Sequence, residues 1–232
     1  MSVFKFKKFN IIHDKSAMKV GTDAVLLGSW TDCGKSNKIL DIGCGTGVIT
    51  LMLAQRNLKS NIIGIDIDEG ASKEAQLNIQ NSDWSDRISI KNISLQEFKT
   101  KIKFNLIVSN PPFFSANTSK GKRDIARRAN SLSFEVLINN AAALLSTTGL
   151  FSVIIPKNSE INFCEIAEKY GIFCNRICYV RGNTNCKIKR VMMEFSFDNH
   201  KIKKEEFLTI EKSRNKFTDQ YIQLCKAFYL DI

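Results

Sequence analysis

Lys38-Ile-Leu-Asp-Ile-Gly-Cys-Gly-Thr-Gly47 is the stretch on which the fold turns. Lys38 to Ile42 carries branched apolar residues at strand density. Glycines at 43, 45 and 47 then interrupt it, and Val48 to Gln55 resumes with the spacing of a helix. Strand, glycine turn and helix form one half of an α/β unit, and the glycines let backbone approach a ligand closely. A dinucleotide loop G-x-G-x-x-G would need glycine at 48 or 50, where this chain has Val48 and Thr50. The spacing argues against NAD. No Lys-Ser/Thr pair follows, which argues equally against a phosphate cradle.

Outward from this loop the alternation continues. Asn61-Ile-Ile-Gly-Ile-Asp66 reads as a second strand, followed by a helix from about Glu69 to Asn81. Arg87–Lys91 and Phe104–Ser109 read as the third and fourth strands, and Ser133–Leu145 as a helix with Leu137, Ala141 and Leu144 on one face. Leu150–Ile155 gives a fifth strand before Pro156, then a helix runs to about Tyr170. Extended runs near Cys174–Arg181 and Lys189–Phe197 complete seven strands. The expectation is an α/β fold: a largely parallel seven-stranded sheet with helices on both faces. In residues 1–37, Phe4, Phe6 and Phe9 alternate with Lys5, Lys7 and Lys8. A short amphipathic strand explains them better than a nucleic-acid stripe. Near the C-terminus, Tyr221, Leu224 and Phe228 fall at helical spacing and read as core.

The totals exclude several classes. Hydrophobic residues are 44% of 232, with 12 Gly and 3 Pro, so the chain is not compositionally disordered. Met1-Ser-Val-Phe-Lys-Phe-Lys-Lys8 lacks the apolar segment of a signal peptide, and no apolar run reaches the ~18 residues of a membrane span. A soluble cytoplasmic protein, with no membrane association, is expected. Seven irregularly spaced cysteines, with no C-x-x-C and two histidines, read as free thiols in a reducing compartment, and no metal site is expected. The net charge of +11 fits a polyanionic partner such as nucleic acid, or simple solubility.

Asn110-Pro-Pro-Phe-Phe114 closes the fourth strand. Two prolines cannot continue a ladder, so the chain turns outward there. An amide, two rigid carbonyls and two rings at a strand end can hold a flat base. An exocyclic amino nitrogen is a poor nucleophile, because its lone pair is delocalised into the ring. The Asn110 side-chain oxygen and the Pro111 carbonyl can accept its two N–H bonds and favour the pyramidal form developing in the transition state. Phe113 can stack on the ring. Asp66, ending the second strand, can accept both hydroxyls of a ribose.

Asp-x-Gly-x-Gly-x-Gly followed by that acidic residue resembles the S-adenosylmethionine loop of Rossmann-like class I methyltransferases. The N-P-P-F/Y motif is shared by methyltransferases of adenine N6, cytosine N4, guanine N2 and glutamine amide nitrogen. His13-Asp14-x3-Met18-Lys19-Val20-Gly21-Thr22-Asp23 is more specific. Together with the loops and Ala227-Phe-Tyr-Leu230, it resembles the bacterial tRNA (adenine-37 N6) methyltransferase family that acts on valine tRNA. That resemblance implies a class I domain over 38–232, with residues 1–37 as an extension packing over the cofactor site. It implies that Gly21, Thr22 and Asp23 help close the cofactor pocket, that Asp41, Gly43 and Gly45 shape its methionine side, and that Asp66 holds the ribose. Asn110, Pro111, Pro112 and Phe113 would receive the base, Asn110 also bordering the cofactor. Thr22 has a plainer reading as a helix N-cap.

The chain departs from the family twice. Ser94 stands where members often carry Asp, at a position that would accept from the cofactor's adenine amino group. Phe113 stands where Tyr is frequent. Beyond the substrate loop, Lys120, Lys122, Arg123, Arg127 and Arg128 either clamp phosphates or form a solvated loop. Lys187, Lys189 and Arg190 make a second basic cluster. The expected partner is tRNA and the expected state a monomer. Methylation of ribosomal RNA or a protein glutamine, or an inactive RNA-binding module, are the competing readings.

Overall fold

Strand β3 (Lys38–Ile42) lies inside the sheet, in parallel register with β4 (Asn61–Asp66) on one side and β6 (Phe104–Ser109) on the other. The computed structural model describes residues 2–14, 19–112 and 132–232. Strand β5 (Ile88–Asn92) continues the parallel set beyond β4, and β7 (Leu145–Pro156) continues it beyond β6. Strand β9 (Arg190–Ser196) enters antiparallel between β7 and β8 (Phe173–Asn183). These seven strands, in the order β8-β9-β7-β6-β3-β4-β5, are the expected sheet. Two more extend it past β8: β10 (Lys204–Ser213), parallel to β8, and the short β11 (Lys216–Phe217), paired to β10 across a tight turn at Asn215. The charge-rich Lys203-Lys-Glu-Glu-Phe-Leu-Thr-Ile-Glu-Lys212 hid β10, because only the two-residue β11 lies outside it and one of its faces is wet.

Helices cover both faces. Helix α1 (Thr22–Trp30), α2 (Val48–Arg56) and α6 (Asp219–Cys225) pack on one side; α4 (Phe134–Leu144) and α5 (Glu160–Lys169) pack on the other. Helix α3 (Glu69–Gln80), between β4 and β5, is capped by Asp68, whose side chain accepts from the Ala71 amide at 2.7 Å. Ser133 caps α4 and Thr218 caps α6 in the same way. Helix α1 has Gly21 at its cap position and no side-chain cap, so the cap reading of Thr22 does not hold.

The N-terminal phenylalanines are core. Val3–Lys5 (β1) and Asn10–Ile12 (β2) form a small hairpin where one strand was expected, because the Phe6 amide donates to Phe9 at 2.9 Å and turns the chain. Phe6 and Phe9 are buried with ring centroids 4.6 Å apart, and Phe9 meets Trp84 edge-on. Buried rings cannot stack on a nucleic acid, which excludes the stripe reading. At the far edge, Arg176 in β8 donates to Glu194 in β9 at 2.8 Å and to Glu206 in β10 at 3.1 Å, with its guanidinium 4.0 Å from the Trp30 ring centroid. Burial pushes the Glu206 carboxyl up, but hydrogen bonds from Arg176, Trp30 and Lys204 hold it down to about 2. One guanidinium thus ties three strands and α1 together. All seven cysteines are free, and no described helix is long and apolar enough to cross a membrane.

Candidate active site

Asp41, Asp66 and Asn110 lie at or near the carboxyl ends of the parallel strands β3, β4 and β6. Ile42 is paired with Ile65 of β4 and Ser109 of β6, so the chain leaves all three strands side by side into Gly43, Asp66 and Asn110. The Ser109 hydroxyl donates to the Ile42 carbonyl at 2.9 Å, locking the ends of β3 and β6 together. After Ile42 the loop bends back over β4, where the amides of Gly43 and Cys44 both donate to the Ile65 carbonyl. Gly43 and Gly45 adopt φ of 71° and 54°, left-handed values that cost an L-residue about 1–2 kcal/mol. A Cβ on either would point into open space within 4 Å. Their glycines therefore serve the turn and leave its outer side clear for a ligand.

Two carboxylates flank the loop in different ways. Asp66 accepts from the Gly45 amide at 2.7 Å through one oxygen and from the Asp68 amide at 2.9 Å through the other. Burial pushes its carboxyl up, opposed by those two amides. Asp41 is fully buried. One oxygen accepts from the Thr50 hydroxyl at 2.6 Å, and the other has no hydrogen-bond partner. Burial pushes the Asp41 carboxyl up to about 7, despite the Thr50 hydroxyl. The Asn110 side-chain oxygen is likewise buried and without a hydrogen-bond partner. Pro111 is buried behind it and Pro112 is exposed. Orphaned buried acceptors are costly, so a donor-bearing ligand relieves both.

The Gly21–Asp23 turn has neighbours held both from outside the sheet and from within it. His13 accepts from the Val20 amide at 3.2 Å through Nδ1, and its Nε2 lies 2.8 Å from the Ser2 hydroxyl. Its neutral tautomer with the proton on Nε2 satisfies both. Asp23, in the first turn of α1, accepts from Arg190 Nε of β9 at 2.8 Å. Thr22 faces a separate cleft near β8 and β10.

Three residues at this end went unnoticed in the sequence. Asn78 on α3 accepts from the Ile12 amide at 2.8 Å and donates to the carbonyls of Ile12 and Thr46 at 3.0 and 2.9 Å, fastening the N-terminal hairpin to the glycine loop. A buried Asn three residues after Ala75 on the apolar face was the available signal. Asn92, ending β5, donates to the carbonyls of Asp66 and Ile67 and fixes the turn after β4. Ile67 is a large apolar residue left 66% exposed beside Asp66. Ser94 lies just past β5, but its hydroxyl donates to Glu97 at 2.7 Å and accepts from the Glu97 amide, so a carboxylate stands beside it.

Phe113 and the cluster Lys120, Lys122, Arg123, Arg127 and Arg128 lie outside the described residues. Among the described residues no group of histidine, cysteine, aspartate or glutamate is arranged to hold a metal ion.

A seven-stranded sheet of this order, with the glycine loop and ribose-type carboxylate at its carboxyl end, is that of a class I S-adenosylmethionine-dependent methyltransferase. The sequence profile of the methyltransferase small domain matches residues 12–173. A predicted O-methyltransferase from Agrobacterium tumefaciens superposes with a TM-score of 0.68 at 18% identity, over 89% of this chain and 96% of its own. A TehB-like SAM-dependent methyltransferase from Corynebacterium glutamicum gives a TM-score of 0.51 at 18% identity, over 78% and 89%. Both likenesses are of fold. In sequence, a tRNA1(Val) (adenine(37)-N6)-methyltransferase of Phocaeicola vulgatus is 42% identical over 99% of this chain and 98% of that protein. This chain belongs to the tRNA1(Val) (adenine(37)-N6)-methyltransferase family, and S-adenosyl-L-methionine is its cofactor.

Proposed function

We propose that this protein methylates N6 of an adenine in tRNA, adenine 37 of the valine tRNA that its relatives' names specify. The observation that carries the reading is the Asn110 side-chain oxygen, buried and without a hydrogen-bond partner, beside the glycine loop. Those names speak for tRNA over ribosomal RNA or a protein glutamine, and for an enzyme over an inactive RNA-binding module.

The residues present fit the cofactor. Gly43 and Gly45 leave the loop's outer side clear, and the orphaned Asp41 oxygen can accept from an amino group on its methionine side. Asp66 retains acceptor capacity for ribose hydroxyls, since a carboxylate has about four lone-pair sites and two are used. Exposed Ile67 offers an apolar wall beside it, and Ser94 with Glu97 offers acceptors for an amino group. Gly21 and Asp23 close the pocket from the side of α1, positioned by His13 and Arg190, while Thr22 lines the neighbouring cleft. Residues 1–37 then form the extension over that site, with 38–232 as the methyltransferase domain; the Asn78 bonds to Ile12 and Thr46 support this arrangement.

Bound S-adenosylmethionine supplies an electrophilic methyl group on a sulfonium. Asn110 Oδ1 and the Pro111 carbonyl accept the two N–H bonds of adenine N6, localising its lone pair toward that methyl. Pro112 rigidifies the turn, and Phe113 stacks on the base. The alkylated nitrogen is acidic and loses its extra proton to water, so no side-chain base is required. The cluster Lys120, Lys122, Arg123, Arg127 and Arg128 holds phosphates around the splayed base. The protein acts as a soluble, cytoplasmic monomer. Labelled S-adenosylmethionine and total tRNA from a strain lacking the gene test the reading: digestion should yield N6-methyladenosine from one tRNA. Label in ribosomal RNA or protein, with none in tRNA, would refute it.

A further inference from the structure

Beyond the glycine loop, a cleft of about 520 Å³ opens at the carboxyl end of β8 and β10, under the C-terminal tail. It is lined by Asn183, Glu211, Phe217, Tyr221, Tyr229 and Asp231 among others, with Thr22 at the N-terminus of α1 on one wall. Strand β8 runs parallel to β10 and both are antiparallel to β9, as is β7. The cleft therefore faces the same way as Asn110 at the end of β6. Strands β7 and β9 stand between β6 and β8. At ~4.8 Å per strand the separation is roughly 15–20 Å, the span of about five stacked nucleotides at ~3.4 Å each.

Cationic residues lie close in the chain to Asn183, Glu211 and Phe217, which line this cleft. The loop joining β8 to β9 carries Lys187 and Lys189, the turn joining β10 to β11 carries Arg214, and β11 begins at Lys216. All four are exposed, and among the described residues none is in an ion pair. The cleft itself is different in kind. Phe217 is half-buried and backed by the buried Tyr221, ring centroids 5.1 Å apart, and Glu211, Asp231 and the Asn183 amide line the same cleft as acceptors. Carboxylates repel phosphate but accept N–H bonds from a base edge, while aromatic rings take its face. An accessible ring with acceptors inside and cations nearby in the chain suits a single-stranded RNA.

We propose that this cleft is a second base site: it takes an unpaired, amino-bearing nucleobase of the same RNA loop that presents the target adenine to Asn110, with Lys187, Lys189, Arg214 and Lys216 on the flanking phosphates. The proposal rests on the tRNA reading above. It gives the basic cluster at 187–190 a place in substrate selection, and it explains why the sheet is extended by β10 and β11 on this side. Arg190 is held by Asp23, an ion pair that links the first turn of α1 to the start of β9.

The test measures affinity of the holoenzyme for an end-labelled tRNA transcript across a salt series, with kcat, KM and S-adenosylmethionine affinity determined in parallel. Lys187→Glu with Lys189→Glu should weaken tRNA binding about tenfold or more. It should also lower the slope of log affinity against log salt by ~1.4, two contacts at about 0.7 each. Phe217→Leu should raise KM for tRNA about tenfold with kcat retained, the signature of a lost stacking contact. Cofactor affinity should be unchanged in both. Wild-type tRNA binding and KM in the lysine variant, alongside normal methylation by the wild-type enzyme, would overturn the second site and leave the main reading standing. A wild-type enzyme that neither binds nor methylates tRNA would overturn the main reading, and this site with it. Should Phe217→Leu not fold, the exposed lysine pair decides alone.

Discussion

The carboxylate of Asp66 accepts a hydrogen bond from the amide of Gly45 at 2.7 Å, so the acid at the end of β4 and the glycine loop after β3 are one rigid piece before any ligand arrives. Such preorganisation lowers the ordering cost of binding. Replacing the charge should weaken the cofactor without abolishing the fold. Asp66→Asn is expected to raise the Kd for S-adenosylmethionine at least tenfold, since hydrogen bonds to a charged group contribute about 1.5–3 kcal/mol. Calorimetry checks this; an unchanged Kd would remove Asp66 from the ribose role.

Asp41 makes stability depend on pH. Its carboxyl is pushed up to about 7 in the folded protein from an ordinary value of 3.8. The native state therefore holds the proton more tightly than the unfolded chain, and stability falls as pH rises from about 4 toward 7. Burial of Asp66 acts in the same direction. The cofactor-free protein should melt at a lower temperature at pH 8 than at pH 5, and Asp41→Asn should flatten that profile while weakening cofactor binding. An unaltered pH profile in the variant would show that Asp41 does not control it.

Asn78 connects two segments that the sequence separates by 66 positions, through both bonds to Ile12. Asn78→Ala leaves the Thr46 and Ile12 carbonyls without this donor, and is expected to destabilise the protein by about 1–3 kcal/mol and to loosen the cofactor. Thermal unfolding with a parallel cofactor titration reads both. Loss of stability with cofactor affinity intact would make Asn78 structural only.

The parallel half of the fold was legible because β3, β4 and β6 are buried on both faces and read as continuous apolar runs. Strand β10 was not, because next to the short β11 at the sheet's margin it carries Lys204, Glu205 and Glu206 where a central strand would carry valine or isoleucine. Asp66 and Asn110 stood out because they mark the ends of β4 and β6, and Asp41 because it comes just before the glycine turn. Asn78, Asn92 and Glu97 could not, because they work through backbone partners distant in sequence or through a neighbour such as Ser94. The location of Lys187 and Lys189 likewise follows from the antiparallel insertion of β9, a tertiary feature that local pattern does not encode.

In the proposed function Asn110 presents an adenine amino group for methylation. The most direct test is the single-turnover rate of Asn110→Ala on the valine tRNA, with the variant saturated in S-adenosylmethionine and tRNA. Loss of a buried acceptor acting in the transition state predicts a fall of about 10²–10³-fold, with the variant still folded and still binding tRNA. A rate close to that of the wild type would contradict the account.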